Sequence, residues 1–498
     1  MGLRPKLGAD GKPLESVDEL PPWKHLIPLG LQHVLAMYAG AVAVPLVVGG
    51  ALIAAGKLSP DDLGYLVTAD LFVAGIATLI QSIGFKWFGV RLPLMQGCTF
   101  AAVSPMIVIG SQYGVTAIYG SVIASGIFMM LLAPIFAKLV RFFPPLVTGT
   151  VILIIGLSLM GVAANWVGSG KITDDGAPMQ NVALAAGTLL LIVLIERFAP
   201  PVLARISILL GIVIGTIVAL PMGLVHWDKV ATADAVGVTS PFHFGFPTFE
   251  VAAIVSMCIV ALVIMTETTG DILAIGEIVD VKIDSRRLGD GLRADGLSTM
   301  LGGVFNTFPY TAFAQNVGLV SITGVRSRYV ATFAGGVLIL LGLTPKMGAI
   351  VEGIPQPVLG GAGIALFGMV AASGVRTLST VKFNNKNILV VATSIGVAMI
   401  PIVRDSFYND FPNWFKTIFH SGISAGAIVA ILLNLLLNSD KMQAAEAAKG
   451  VADPHGGAGY DAVREVTAAD PADVAAELAE ADAAEKSKAK QYRSRTVG

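Results

Sequence analysis

Residues Phe308–Gly324 read FPYTAFAQNVGLVSITG, and this stretch decides the fold. It lies inside a strongly apolar chain, yet it carries a Gln-Asn pair, two Thr, a Pro and two Gly. It is too short to cross a bilayer alone, because a spanning helix needs about 20 residues. Non-helical backbone at membrane depth is tolerated only where it is buried in protein or lines a cavity. The stretch therefore predicts a broken membrane segment at a functional site.

The remaining sequence has the composition of a polytopic membrane protein. Of its 498 residues, 54% are hydrophobic and only 13% are charged, about half the charged fraction of a soluble domain. The net charge of −1 and the lack of a basic, aromatic-rich cluster exclude a nucleic-acid partner. Cys98 and Cys258 both fall in apolar segments, so we expect packing residues rather than a disulfide or a metal site.

Hydropathy predicts an all-α membrane protein of about fourteen segments, of which the third and the tenth are short and polar. Lys and Arg concentrate in the loops on the side shared by both termini, so the positive-inside rule places both termini in the cytoplasm and the protein in the cell (inner or plasma) membrane. The predicted segments are 26–54, 63–84, 97–110, 115–137, 144–166, 181–196, 202–224, 250–275, 290–305, 311–322, 328–344, 357–374, 384–402 and 417–438.

The two short segments indicate an internal repeat. Arg91–Gly110, RLPLMQGCTFAAVSPMIVIG, and the stretch from Thr307 each follow two membrane segments and each run from Pro through Gln to an apolar stretch. Seven segments precede the eighth, so the second copy would be inverted, and such broken pairs point to a transporter site. The extended pieces would pair as a two-stranded ribbon, with two half-helix N-termini facing one site. The alternative is two loops between ordinary helices.

Two carboxylates share one helix face inside an apolar segment. Glu267 and Asp271 are four residues apart in Val260–Glu277. A carboxylate at the bilayer centre costs about 2.5–3.5 kcal/mol, so two on one face predict a cavity or a proton path. Burial and like-charge repulsion favour protonation of at least one, which suits proton-coupled binding. The alternative is that the helix ends near Glu267 and both acids are interfacial.

Three further polar residues lie in or beside apolar segments. His33 would either hydrogen-bond the carboxylates or anchor the fold. Asp295 would either cap the following helix or neutralise Arg287 or Arg293. Asp70 is an intramembrane acid for which the sequence indicates no partner.

The amides of Gln315 and Asn316 both donate and accept hydrogen bonds, which suits a planar ligand that alternates C=O and N–H along one edge. Glu267 would accept from ring N–H groups, and Phe313 or Phe100 would supply an apolar face for stacking. The pattern predicts recognition of a nucleobase-like heterocycle. Amides also join helices in membranes, which is the alternative.

These motifs resemble the nucleobase–ascorbate transporter family, also called nucleobase:cation symporter-2, and within it the bacterial xanthine/uric acid permeases. The family signature Gln/Glu-Asn-x-Gly-x-x-x-x-Thr-Arg/Lys/Gly reads QNVGLVSITG here, from Gln315 through Thr323 to Gly324. The resemblance covers about residues 20–440. The other matching elements are the Gln32-His33 pair, ETTGD with Glu267 and Asp271, and ADGL with Asp295.

The resemblance implies fourteen segments in a 7+7 inverted repeat, a homodimer, and an elevator-like movement of a substrate-carrying core domain against a gate domain that also dimerises. After residue 438 the composition changes to an Ala-, Asp-, Glu- and Lys-rich tail, for which we predict disorder in the cytoplasm. The expected divisions are 1–25 for the cytoplasmic N-terminus, 26–137 and 250–344 for the core, 144–224 and 357–438 for the gate, and 440–498 for the tail.

For the site, the resemblance implies that Glu267 and Gln315 hold the base through their side chains and that Phe313 stacks on it. Phe100 and Ala314 should offer backbone N–H groups. The residues implied in support or proton coupling are Asp271, Asn316, His33, Gln32, Thr323 and Asp295.

Uracil-type relatives usually carry Glu where this chain has Gln315, which favours uptake of an oxidised purine by proton symport. Gly324 at the last motif position leaves xanthine and uric acid unranked, and the choice of H⁺ over Na⁺ rests on the resemblance. One alternative is a pyrimidine symporter. Another is an anion exchanger, which should have a fixed positive charge where this chain has acids. We expect no enzyme, because no metal-ligand cluster, nucleophile elbow or phosphate-binding loop is present in a suitable context, and no cofactor beyond the coupling ion.

Overall fold

A computed structural model describes residues 16–140, 143–169, 176–225 and 227–438. The expectations for the tail 440–498 and for the first fifteen residues lie outside this part. The helices are α1 (Trp23–Ala54), α2 (Asp62–Ile83), α3 (Val103–Tyr113), α4 (Val115–Leu139), α5 (Pro145–Val167), α6 (Met179–Phe198), α7 (Pro201–Ala204), α8 (Ser207–Ala219), α9 (Asp228–Thr232), α10 (Val251–Ile278), α11 (Ser285–Val304), α12 (Ala314–Thr323), α13 (Arg328–Gly342), α14 (Pro345–Glu352), α15 (Gln356–Leu378), α16 (Asn385–Val403), α17 (Asn413–Phe419) and α18 (Gly422–Leu437). The strands are β1 (Gln96–Cys98) and β2 (Tyr310–Ala312).

The chain is a multi-pass membrane protein. Among the described residues, eight helices are long and apolar enough to cross a membrane, or ten if the bent pairs α13–α14 and α17–α18 each count as one span. These pairs bend by 79° and 81°. Each predicted segment coincides with a helix or with a strand followed by a helix. Helices α9 and α14 were not predicted, and the predicted segment 417–438 includes only the last three residues of α17.

The two strands form the predicted ribbon. They pair antiparallel, with Gln96 opposite Ala312 and Cys98 opposite Tyr310, and all six strand residues are buried. The pairing continues past the strands, because Phe313 N donates to Met95 O at 3.0 Å. The extended backbone of each broken segment is therefore satisfied by the other, which makes it tolerable at membrane depth.

The helices pack in two groups. One contains α1–α4 and α10–α13 with the ribbon between them, and the other contains α5, α6, α8, α15, α16 and α18. The most extensive pairings are α5 with α15, α4 with α11 and α2 with α13. Glycines allow these backbones to approach: a Cβ on Gly126 of α4 would lie 2.5 Å from Met300 N and 2.7 Å from Gly296 O of α11.

The two ends of the bundle differ. One, which we call the terminal face, carries the start of α13 and the end of α2: Arg328 donates to Ile83 O at 2.8 Å and pairs with Asp18 at 2.6 Å. The other, the loop face, is covered by the segment 225–249. There Tyr65 stacks on His243 with ring centroids 3.9 Å apart.

An ion-pair cluster fastens that covering segment to the helices below. Lys229 of α9 lies 2.7 Å from Asp61 and 2.5 Å from Glu352 at the end of α14. Its hydrogen bonds to these two carboxylates raise the pKa of the Lys229 ammonium. Because Lys229 and Asp61 are well exposed, the pairing mainly fixes the path of the segment and contributes little stability.

Candidate functional site

Helix α10 continues well past Glu267, so the two acids lie within it rather than at its end. Glu267 and Asp271 are half-buried on the face where Gly270 is exposed. Among the described residues, Asp271 Oδ2 is buried and has no hydrogen-bond partner. The predicted face of two carboxylates is therefore present, and one of its oxygens is available to a proton or a ligand.

Thr268, next to Glu267, ties α10 to the ribbon. Its hydroxyl makes a short hydrogen bond to Asp295 Oδ2. Because it has one proton, the same oxygen must accept from Ala312 N at 3.3 Å and from the Thr311 hydroxyl at 3.1 Å. This single side chain connects α10, α11 and β2.

Asp295 takes neither the helix-cap role nor the counter-ion role that the sequence suggested. Asp295 is fully buried and accepts from Gln81 Nε2 at 3.0 Å in addition to Thr268. The nearby cations are used elsewhere: Arg293 pairs with Asp290 at 2.6 Å, and Arg287 donates to Val90 O at 2.9 Å. Asp295 is thus a buried junction among α2, α10 and α11, instead of a helix cap or a counter-ion.

Helix α12 begins directly after the ribbon and presents the signature to the site. Ala314 and Gln315 are exposed, whereas Asn316 is fully buried. Asn316 Nδ2 donates to His33 O at 2.9 Å and lies 3.1 Å from His33 Nδ1. Of the two roles considered for His33, the structure shows the anchoring one, because this buried histidine joins α1 to α12.

Two backbone N–H groups are free at this place. Ala314 is the first residue of α12, and Phe100 is the first residue of the short 3₁₀ turn that leads into α3. The first N–H groups of a helix have no partner within it. Among the described residues, neither the Phe100 N–H nor the Ala314 N–H donates a hydrogen bond to another group. Both are therefore available to a ligand.

The two aromatic candidates differ in their surroundings. Phe313 is buried, and its ring packs so closely on Gly40 and Gly97 that a Cβ on Gly97 would lie 2.4 Å from it. Phe100 is half-buried and meets Phe367 of α15 edge to face, with centroids 5.8 Å apart. Phe100 therefore sits where the two helix groups meet.

The remaining signature residues end α12. Thr323 Oγ1 donates to Leu319 O at 2.9 Å, and Gly324 follows with φ +64°, a left-handed conformation that glycine adopts without strain. Gln32, half-buried on α1, precedes His33. Among the described residues, Gln32 and Thr323 make no hydrogen bond with Glu267 or Gln315, so both lie outside the cluster that the structure assembles.

Helix α12 and the second half of α10 each carry a stripe of exposed positions. Beyond Gln315, Ser321 of α12 is exposed, and beyond Glu267, Glu277 of α10 is exposed. Helix α12 and the second half of α10 run from the ribbon towards the terminal face, where Arg326, after α12, pairs with Asp280, after α10. The exposed or half-buried positions along these two stripes are Ala314, Gln315, Gly318, Ser321 and Ile322 on α12, and Glu267, Gly270, Asp271, Ala274 and Glu277 on α10.

On the opposite side the two helix groups are in contact. Thr417 of α17 donates to Gln112 Oε1 at 2.7 Å and lies 3.1 Å from the Tyr113 hydroxyl at the end of α3. Ser104 donates to Ser421 at 3.2 Å. These contacts join α3 to α17 and to the residue before α18.

Sequence reasoning missed Thr268 and Gln81, which hold the site together. Thr268 lies inside the ETTGD element, and Gln81 is a polar residue in an otherwise apolar helix. The polarity of Gln81 was a signal that could have found it, because an amide inside a membrane segment requires partners. Its partners, Asp295 and Gly291, were not readable from the sequence.

Comparison with known proteins identifies the family of this chain. A family model described as a permease family matches residues 24–405. The chain belongs to the xanthine/uracil permease family. It is therefore a permease and not an enzyme.

Several members of the family are similar over most of the chain. The xanthine permease of Bacillus subtilis (strain 168) is 46% identical over 82% of this chain and 93% of its own length. The uric acid transporter UacT of Escherichia coli (strain K12) is 42% identical over 90% of this chain and 93% of its own length. The uric acid permease PucK of Bacillus subtilis is 43% identical over 84% of this chain and 97% of its own length.

Two solved structures share the fold of this permease. The transmembrane domain of a cyanobacterial bicarbonate transporter, BicA, superposes with a TM-score of 0.52 at 16% identity, covering 84% of this chain and 99% of that one. Murine Slc26a9, an anion transporter, gives 0.53 at 12% identity over 84% of this chain and 69% of that one. At such identities the likeness concerns the fold alone.

Proposed function

We propose that this permease imports an oxidised purine, xanthine or uric acid, into the cytoplasm by proton symport. The observation that carries the proposal is the grouping at the ribbon: a carboxyl, an amide and two free N–H groups, from Glu267, Gln315, Phe100 and Ala314. Donors and acceptors in one small region fit the edge of an oxidised purine. The relatives named as xanthine and uric acid permeases support the same substrate class.

Phe313 and Phe100 would give the purine its apolar faces. Phe100 is the better placed, because it is half-buried at the contact between the helix groups, while Phe313 supports the site from behind by packing on Gly97. Asn316, His33, Thr323, Gln32 and Asp295 would then act through structure, and Asp271 through proton coupling, since its Oδ2 is unpaired among the described residues.

The same geometry argues against an anion exchanger, although the structural matches transport anions. The groups that the described residues place at the ribbon are acids and amides, and the neighbouring arginines are engaged elsewhere. An inorganic anion has no ring N–H groups to donate to Glu267, and it would face Glu267 and Asp271 without a compensating cation, which is unfavourable.

We infer that the fold consists of fourteen segments in a 7+7 inverted repeat. Exchange of the copies turns α2 into α11 and α13 into α4, and the pairings α2–α13 and α11–α4 are both extensive. It also relates two matching hydrogen bonds: Gln96 N donates to Thr78 Oγ1 at 3.0 Å, and Tyr310 N donates to Thr299 Oγ1 at 3.1 Å. Such agreement is expected if both copies descend from one unit.

We propose that the two helix groups are the core, 26–137 and 250–344, and the gate, 144–224 and 357–438. We propose that the core carries the purine and moves against the gate in an elevator-like cycle, with the gate joining two protomers in a homodimer. With both termini in the cytoplasm, the site opens inwards. The hydroxyl contacts of Thr417 and Ser421 would then seal the outer side and separate during the cycle.

The test is uptake of radiolabelled xanthine by cells that lack their own purine permeases, with unlabelled xanthine, uric acid, hypoxanthine and uracil as competitors. We expect saturable uptake that xanthine or uric acid blocks and that a protonophore abolishes. Inhibition by uracil alone would favour the pyrimidine symporter. Uptake that persists with the protonophore and depends on Na⁺ would mean that Na⁺, and not H⁺, is the coupling ion.

Gln315→Glu should lower purine uptake about tenfold or change the base preference. The substitution removes the amide donors and adds a second negative charge beside Glu267, and one lost hydrogen bond costs about 1 kcal/mol before repulsion is added. Gln356→Glu, which makes the same change at an exposed helix start, is the matched control. If Gln315→Glu leaves the base selectivity of uptake unchanged, Gln315 does not select purines.

Ser321→Cys should react readily with a membrane-impermeant thiol reagent applied from the cytoplasmic side, because Ser321 is exposed on the open stripe of α12. Ser104→Cys, in the contact with Ser421, should react slowly from either side. Cys258 would first be replaced by Ser, and Cys98 is buried. Equal reactivity of the two variants would contradict an inward-facing state.

A further inference from the structure

Asp70, on α2, is a buried acid that the proposed binding site does not use. It is 1% exposed. Its Oδ1 accepts from the Tyr310 hydroxyl at 2.7 Å. Among the described residues, its Oδ2 has no hydrogen-bond partner, and no cationic side chain pairs with it. An acid so placed needs a structural reason, because burial of an unpaired polar group is costly.

That reason lies in Tyr310, the first residue of β2 and one of the largest fully buried side chains. Its hydroxyl has one proton, which goes to Asp70, so the Thr307 hydroxyl 3.0 Å away must donate to the phenolic oxygen. Its backbone N–H donates to Thr299. Tyr310 is therefore held by α2 and α11 together.

The strand that Tyr310 begins ends at the purine site. Two residues beyond it, Ala312 N donates to Thr268, and Phe313 and Ala314 follow. Asp295 holds this end of β2 through Thr268, and Asp70 holds the other end through Tyr310. Each end of the strand is thus attached to a buried carboxyl group on a different helix.

We propose that Asp70 is a positioning residue for the purine site. Its carboxyl oxygen accepts the hydrogen bond of the Tyr310 hydroxyl and so acts on the site through Tyr310. It sets the position of β2 and hence of the Ala314 N–H and the Gln315 amide. The role needs an oxygen at this place and no change of charge during transport. Cys98, opposite Tyr310 on β1, is the other titratable group beside Asp70. The inference rests on the proposed purine transport.

The experiment compares Asp70→Asn, Asp70→Leu, Tyr310→Phe and the double variant Asp70→Leu/Tyr310→Phe with the unaltered permease. KM and maximal rate of xanthine uptake are measured across pH, with the amount of folded protein in the membrane measured in parallel. Asp70→Asn keeps an acceptor for Tyr310, so we expect KM within about twofold of the unaltered protein and the same pH profile.

Asp70→Leu and Tyr310→Phe should each raise KM about tenfold with a smaller effect on maximal rate, because a lost buried hydrogen bond shifts the strand. The double variant should be no worse than the poorer single one, since both remove the same interaction. Tyr310→Phe keeps the test usable if Asp70→Leu does not fold, because it deletes only one oxygen atom.

The outcomes that overturn the proposal are distinct. If Asp70→Asn is as impaired as Asp70→Leu, with an altered pH profile, the charge or proton of Asp70 takes part in transport. If Tyr310→Phe leaves KM unchanged, the hydrogen bond does not position the site. If the unaltered permease itself transports no purine, the proposed function fails, and the assignment of Asp70 to a purine site falls with it.

Discussion

Replacing Glu267 with Gln should abolish proton-driven purine uptake, with kcat/KM lowered about a hundredfold. Glu267 would accept hydrogen bonds from ring N–H groups as a carboxylate, and a hydrogen bond to a charged group contributes about 1.5–3 kcal/mol. The amide also cannot exchange the proton that coupling requires. Initial rates of xanthine uptake in cells, normalised to the amount of permease in the membrane, provide the measurement.

Glu277→Gln is the control for that experiment. It makes the same substitution on the same helix, at an exposed position near the end of α10. We expect uptake close to that of the unaltered protein. Normal uptake by Glu267→Gln would take Glu267 out of the site, whereas equal loss in both variants would indicate general damage to α10.

The second large effect should come from Gly126→Val, which we expect to prevent the accumulation of folded protein. A Cβ at this position would lie 2.5 Å from Met300 N and 2.7 Å from Gly296 O. Both are backbone atoms, so α4 and α11 would have to move apart, at a cost of ~3 kcal/mol, the upper end of the range typical of overpacking. Detergent-solubilised protein would be followed by size-exclusion chromatography and thermal unfolding.

Gly187→Val on α6 is the matched control, because no atom lies within 4 Å of a Cβ at that exposed position. It should give a single folded peak. A folded, equally stable Gly126→Val protein would mean that the contact between α4 and α11 is looser than described here.

The broken segments were predictable because their composition conflicts with spanning a bilayer. A Pro, amides and glycines in a stretch such as Phe308–Gly324 leave few ways to satisfy the backbone, and pairing with a second such stretch is one of them. The two acids of α10 were predictable for a similar reason. Carboxylates on one face of an apolar membrane helix are costly, and they are found mainly where they serve a function.

The connections that hold the site were not predictable. From the sequence we expected Asp295 to pair with Arg287 or Arg293. In the structure its hydrogen-bond partners are Gln81, 214 positions away, and Thr268, 27 positions away. Asp70 meets a tyrosine 240 positions distant. Partners of buried polar groups are chosen by helix packing, which a single sequence does not specify.

The short helix α14 and most of α17 were missed for a geometric reason. Each is joined to a longer helix at a bend of about 80°, 79° and 81° respectively, and each is far below the length of a span. Hydropathy assigns such pieces to loops. Yet α17 carries Thr417, which forms hydrogen bonds with Gln112 and Tyr113 at the end of α3.

The most direct measurement uses the purified permease in liposomes, with radiolabelled xanthine outside. An inward proton gradient, acidic outside, should drive xanthine above its equilibrium level in vesicles with the unaltered protein, and Glu267→Gln should remove this accumulation. Accumulation that requires a Na⁺ gradient, or equilibration that ignores the proton gradient, would contradict proton-coupled purine transport through this site.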